Sequence, residues 1–240
     1  MIVITGNSHV NALRLGAIQL GAEVAGMSAR EVRIGMLGNG KFTHRQFFRE
    51  CESGAVIVQP EYVEALTALT GADVIGQPGV TYGICLGFHS PPVFRQPMWQ
   101  ASALSEDVEN ARTRPISSAV LEAMVEHNNR YMYSFFDALG KAGVDFFVIS
   151  APPPRRDHPC LAKTPQSTVI AVDAAFRASV ARHFESRGVQ YVMPPSEAYD
   201  DDGFLLDGLA MKVPRDVHHG NADYGRLMLK KVLEFASSRG

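Results

Sequence analysis

The chain alternates between two hydrophobic periods, and that alternation constrains its fold more than any other feature. Short β-branched or apolar runs at 2–5, 31–37, 82–86, 144–149 and 190–193 read as strands. Between them and after them lie stretches with apolar residues at helical spacing, at 10–20, 60–70, about 117–139, about 169–187 and about 222–236. Strands separated by helices imply right-handed crossovers and a parallel sheet with helices on both faces. The expected fold class is therefore α/β: a three-layer sandwich with a central, mainly parallel five-stranded sheet flanked by helices. A chain of 240 residues exceeds the common single-domain length, but one sheet can bury it, so residues 1–240 are expected to form a single domain. With 46% hydrophobic and 20% charged residues there is no room for long disorder, and no internal repeat or low-complexity run interrupts the pattern.

Charge narrows the classes of partner. Twenty-three Lys and Arg against 25 Asp and Glu give a net charge of −2, which lacks the electrostatic footprint of a nucleic-acid binder. No apolar run approaches the ~18 residues of a membrane span, and Ile-Val-Ile-Thr after Met1 reads as a strand start with no basic region ahead of it. Cys51, Cys85 and Cys160 form no CxxC pair and leave an odd thiol if two were bridged, which fits a reduced protein; a cytoplasmic location is expected. Tyr199-Asp200-Asp201-Asp202 lacks the ligand spacing of an EF-hand loop and reads as a solvated turn.

Ligands of open parallel sheets collect at the carboxyl ends of the strands, so chemistry is expected in the loops 38–48, 87–104, 150–168 and 194–221 and at the end of the first strand. The first strand runs through Thr5-Gly6-Asn7-Ser8-His9 directly into a helix. Ser8 is either a nucleophile held at the sheet edge or, with Asn7, simply the helix N-cap. Gly6 is followed by no GxGxxG spacing, so a dinucleotide-binding loop is a poor fit. Ahead of the last helix, Asp216 and His219 stand three residues apart. In a turn both face one side, where a carboxylate can orient an imidazole as the acid and base of a nucleophilic triad. Asp216 as a helix cap and a metal site built on the paired His218 and His219 are the competing readings; no third ligand cluster supports the metal.

Taken together, Ser8 after the first strand and Asp216-x-x-His219 before the last helix resemble the SGNH, or GDSL-like, hydrolase family. The likeness runs in block order from residue 2 to about 230, with Gly6-Asn7-Ser8-His9 carrying Asn7 where Asp is commoner. It implies a flavodoxin-like SGNH hydrolase fold and a serine-dependent acyl ester hydrolase, with Ser8 as nucleophile, His219 as base and Asp216 as its orienting acid. His218 is the rival base. The resemblance also implies an oxyanion hole made of the Ser8 amide, a Gly after the second strand and an Asn after the third. Gly40 is the preferred glycine, with Gly38 close behind and Asn39 as a further donor. In Leu86-Gly87-Phe88-His89-Ser90, His89 stands at the family's Asn position, where an imidazole N–H can donate as an amide does, or where it simply bonds within a Pro-rich loop.

Phe88, Trp99 and Arg155 are candidate substrate-binding residues. Trp99 and Phe94 lie in the loop 91–99, as an apolar or sugar-stacking wall or as ordinary core. Arg155 and Arg156 follow three prolines that push them outwards, to meet an anionic group or only solvent. Met132, Tyr133, Phe135 and Phe136 have packing spacings. The expected substrate is a small-molecule or carbohydrate ester, with no cofactor, metal, nucleic acid or membrane required. Transfer of the acyl group to a sugar or other alcohol, and a non-catalytic ligand-binding module on the same scaffold, are the alternative functions.

Overall fold

The computed structural model describes residues 1–108 and 113–239. Its elements in chain order are β1 (Ile2–Gly6), α1 (Val10–Leu20), α2 (Glu23–Met27), β2 (Val32–Ile34), β3 (Phe48–Cys51), β4 (Gly54–Ile57), α3 (Pro60–Thr70), β5 (Val74–Ile75), β6 (Thr81–Cys85), α4 (Pro91–Phe94), β7 (Ser102–Leu104), β8 (Arg114–Ile116), α5 (Ser118–Lys141), β9 (Phe146–Ile149), α6 (Gln166–Glu185), β10 (Tyr191–Val192) and α7 (Ala222–Ser238). The central sheet has five strands in the order β10-β9-β6-β1-β2, all parallel. These are the five strands expected from the hydrophobic runs, although β2, β9 and β10 are shorter than their runs.

Strands β1, β6 and β9 are buried at every residue, as parallel strands covered on both faces must be. One face packs against α1 and α7, with Leu13, Met228, Leu229 and Val232 in its core. The other packs against α3, α5 and α6 through Tyr62, Leu66, Phe135, Phe136, Phe176 and Phe184. Each of these fully buried side chains contributes ~1.5–3 kcal/mol of burial, which is what holds the three layers together.

The helix limits follow local chemistry. Pro60 opens α3, where its missing N–H costs nothing, and Gly71 closes it in the left-handed region at φ 84°. Ser117 caps α5 by accepting from the Val120 amide, and Asn221 caps α7 by accepting from the Tyr224 amide. The hydrophobic runs did not indicate the antiparallel β3-β4-β5 sheet or the two-stranded β7-β8 pair. Both consist of strands two to four residues long, too short to show a period.

Two close approaches position the ends of the sheet. A Cβ on Gly6 would lie 2.4 Å from the Cys85 carbonyl oxygen, so only glycine lets β1 leave the sheet beside β6 at φ 144°. A Cβ on Gly225 would lie 1.7 Å from the Ala12 carbonyl oxygen, so α7 packs on the backbone of α1 itself. Ser8 and His9 immediately precede α1, and Asp216 to His219 lie just ahead of α7. The helix pair therefore brings together segments more than 200 residues apart. No helix among the described residues is long and apolar enough to cross a membrane.

Candidate active site

The N-terminal and C-terminal segments meet at the carboxyl end of β1. His219 Nε2 lies 2.7 Å from Ser8 Oγ, and His219 Nδ1 lies 2.9 Å from Asp216 Oδ2. The carboxylate fixes the tautomer: Nδ1–H donates to Asp216, leaving the Nε2 lone pair to accept from the Ser8 hydroxyl. Neither residue is a helix cap. His9 occupies the N-cap position of α1 without a side-chain bond, and Asn221 caps α7. Nor is His218 the partner of Ser8: the hydroxyl meets His219, and the His218 ring lies against those of His9 and His89, with centroids 5.7 and 5.4 Å away.

Asp216 is held by the local backbone. Arg215 is the only non-glycine residue with positive φ among those described, at 69°, and that turn delivers the carboxylate. Asp216 Oδ1 accepts from the His219 amide at 3.0 Å and the His218 amide at 3.3 Å. Burial works against its charge, but these amides and the His219 imidazole outweigh it and hold the carboxyl below its ordinary value.

Behind the acid stands Arg155, and here the expectation of an outward-facing, substrate-binding arginine is corrected. Arg155 is 2% exposed. Its guanidinium grips Asp157 in bidentate fashion at 2.9 and 2.6 Å, donates to the Met211 carbonyl at 2.9 Å and approaches Asp216 Oδ1 to 3.6 Å. A buried guanidinium needs all its donors engaged, and the loop ahead of α7 supplies the carbonyls. Its neighbour Arg156 turns to the acidic segment, pairing with Asp200 and Asp202, so that turn is anchored by a cation of the chain itself.

Phe88 and Trp99 are also corrected as substrate contacts. Phe88 is 1% exposed, with its ring among Phe184 and Tyr191 at 5.6 and 5.4 Å. Trp99 is fully buried and spends its indole N–H on the Val93 carbonyl at 2.9 Å. Both take the core reading, because apolar area of that size gains more in the interior than at a polar cleft.

A cleft of about 310 Å³ opens beside Ser8. Asn39, Gly40 and His89 all line it. Gly40 lies over Asn7, with its Cβ position 3.7 Å from Asn7 Cβ, whereas the Cβ position of Gly38 points 2.7 Å from the Tyr62 ring; Gly40 is thus the glycine that faces the cleft. No acceptor among the described residues takes the Ser8 or Gly40 amide. Asn39 uses its side-chain oxygen on the Lys41 amide at 3.0 Å. His89 Nδ1 turns to His9 Nε2 at 2.9 Å, and its opposite nitrogen, unbonded among the described residues and not fully buried, is the one left free on a ring that lines the cleft.

Four histidines, His9, His89, His218 and His219, are thus in contact. Burial, then the neighbouring rings of His89, His219 and His218, hold His9 well below the ordinary imidazole value. Burial, then His218 and His219, do the same for His89. His218 is pushed down to about 4, chiefly by burial.

Sequence reasoning did not single out several residues that line the cleft, including Lys41, Thr43, His44, Arg95 and Asn128, nor the buried His9. His9 had one signal, its place directly after Ser8; the others come from a short 3₁₀ turn at Gly40–His44, the end of α4 and the face of α5, and carried none. Met132, read as packing, reaches both core and cleft.

Neither a family model nor a curated protein matches the chain. Among solved structures it superposes on a protein described as a "putative acylhydrolase" from Bacteroides fragilis with a TM-score of 0.51 at 13% identity, over 99% of this chain and 86% of that one. A GDSL-like lipase from Bacteroides thetaiotaomicron matches with a TM-score of 0.44 at 12% identity, over 98% of this chain and 88% of that one. At 13% identity the first likeness is one of fold: the chain shares the α/β fold of the Bacteroides fragilis protein.

Proposed function

We propose that the protein is a serine-dependent acyl ester hydrolase in which Ser8, His219 and Asp216 form the triad. One observation carries the reading: a single imidazole, His219, lies within hydrogen-bond distance of the Ser8 hydroxyl on one side and of the half-buried Asp216 carboxylate on the other. A cap or a core histidine has no need of that three-part order.

Ser8 Oγ attacks the ester carbonyl while His219 takes its proton, and Asp216 stabilises the imidazolium that forms. The tetrahedral oxyanion is met by the Ser8 and Gly40 amides and by a side-chain donor, His89 or Asn39. His219 then returns the proton to the leaving alcohol, and water resolves the acyl-enzyme by the same route. The fold shared with the Bacteroides fragilis protein supports this class at the level of scaffold. A small-molecule or carbohydrate ester suits a polar cleft of about 310 Å³.

The test is hydrolysis of a short-chain p-nitrophenyl ester together with labelling by a fluorophosphonate. Both are expected in the wild type and both should vanish in Ser8→Ala. A wild type that neither turns over nor labels would favour a ligand-binding module on this scaffold.

A further inference from the structure

His9 does not touch the reacting atoms, yet it is buried among them. Its Nε2 lies 2.9 Å from His89 Nδ1, and its own Nδ1 is buried with no partner. Exactly one proton can occupy the His9–His89 contact, and the orphaned nitrogen decides which ring carries it. A neutral imidazole has one N–H and one lone pair. If His9 carried its proton on Nδ1, a buried N–H would go unbonded, and its Nε2 lone pair would have to accept from His89. If it carries the proton on Nε2, that N–H is satisfied by His89 and only a lone pair is left unpaired, which proteins tolerate better than an unbonded donor.

We propose that His9 is a positioning residue: it donates from Nε2 to His89 Nδ1 and thereby obliges His89 to present Nε2–H to the cleft as the oxyanion donor that an asparagine amide would otherwise supply. The inference rests on the hydrolase reading for its catalytic consequence, but not for the tautomer itself. An amide has a fixed donor end, whereas an imidazole has a donor end only once a neighbour chooses it. A histidine at this position therefore needs a second group to set it, and His9 is the group in place.

Two measurements test this. ¹⁵N NMR of the wild-type imidazoles is expected to show His89 protonated on Nε2 with Nδ1 bare; a proton on His89 Nδ1 overturns the proposal whether or not the protein turns over any ester. Kinetically, His9→Phe should lower kcat by about 10²-fold, the scale of losing one oxyanion donor, with KM little changed. In a His89→Asn background, where the donor needs no tautomer partner, the same His9 replacement should cost far less. A loss that persists undiminished in that background, or that moves KM alone, would mean His9 acts only through packing. His9→Gln, which keeps an N–H donor, covers the case in which His9→Phe fails to fold, and it should retain more kcat than any apolar replacement.

A different observation, the charge around the cleft, points to the substrate class. Acids outnumber bases in the chain by 25 to 23, yet no Asp or Glu is among the residues lining this cleft, while Lys41 from the 3₁₀ turn Gly40–His44 and Arg95 from the end of α4 both line it. Arg95 is exposed at the rim of the cleft, close enough to His44, His89, His158 and His218 for its charge to reach them. We infer that the cleft takes esters bearing an anionic group such as a carboxylate near the scissile carbonyl, a refinement that rests on the hydrolase reading. Mono-4-nitrophenyl glutarate is expected to exceed 4-nitrophenyl butyrate in kcat/KM by about tenfold at low salt, with the ratio falling at high salt and in Arg95→Gln. A ratio of one or less, or one that ignores salt and Arg95, overturns it. Calorimetric titration of Ser8→Ala with monomethyl glutarate against methyl butyrate reads the same preference without turnover, so failure of the hydrolase reading and failure of this one are told apart.

Discussion

At the scale of residues, hydrogen bonds order Ser8, His219 and Asp216 in line. Asp216→Asn keeps the shape of the acid but removes the charge that orients His219, and kcat is expected to fall by roughly 10⁴-fold while fluorophosphonate labelling slows in step. Arg155 acts one layer further back. Arg155→Met would leave the Met211 carbonyl without its donor and Asp157 without its partner, so unfolding free energy should drop by about 1–3 kcal/mol in a denaturant titration, and kcat should drop with it as the loop bearing Asp216 loosens. The residue types at Ser8, Asp216 and His219 were legible because their order and spacing suit one chemistry. Arg155 was misread because three preceding prolines indicate a stiff turn but not its direction; Asp157 is close by in sequence, but the Met211 carbonyl that holds the guanidinium inwards lies 56 residues on.

At the scale of elements, the proposed triad depends on α1 and α7 touching backbone to backbone. Gly16 and Gly225 form the contact: the Cβ position of Gly16 is 2.3 Å from the Gly225 carbonyl carbon. Gly225→Ala should therefore wedge the helices apart, costing about 1–3 kcal/mol by thermal denaturation and separating Ser8 from His219, so that activity falls by more than the loss of folded protein explains. The helices themselves were readable from their spacing, to within a few residues at each end. That their glycines interlock was not, because a glycine in a helix carries no sign of what approaches it.

At the scale of the whole molecule, histidines wholly or partly shielded from water make stability depend on pH. His9, His44, His89, His158, His183 and His218 are all held below the ordinary value of 6.5, in each case chiefly by burial. Below pH 6.5 the unfolded chain takes up protons at these positions while the folded chain does not, so the unfolded state gains and stability falls as pH drops. His183 and His218, held at about 4, extend that window down to about pH 4. Asp216 is shifted in the same direction, so it adds to the loss at a lower pH: its contribution is present above 3.8 and is lost as pH falls through its lower folded value. Tm should accordingly decline from pH 6.5 towards 4, with unfolding accompanied by measurable proton uptake, and a Tm that stayed level across that window would contradict the burial of these rings.

Hydrophobic period alone determined the five parallel strands and the helices between them, because strand and helix periods are local and a parallel sheet requires its crossovers. Block order placed Ser8, Asp216 and His219 at one edge, because parallel strands all end on the same side. Only the tertiary structure decided what each side chain meets there: that Trp99 and Phe88 turn to the core, that Arg155 turns in to Asp157 and the Met211 carbonyl, and that His9 turns to His89. Those choices are settled by competition between burial and hydrogen bonding among residues distant in the chain, and a sequence read along its length does not contain the distances.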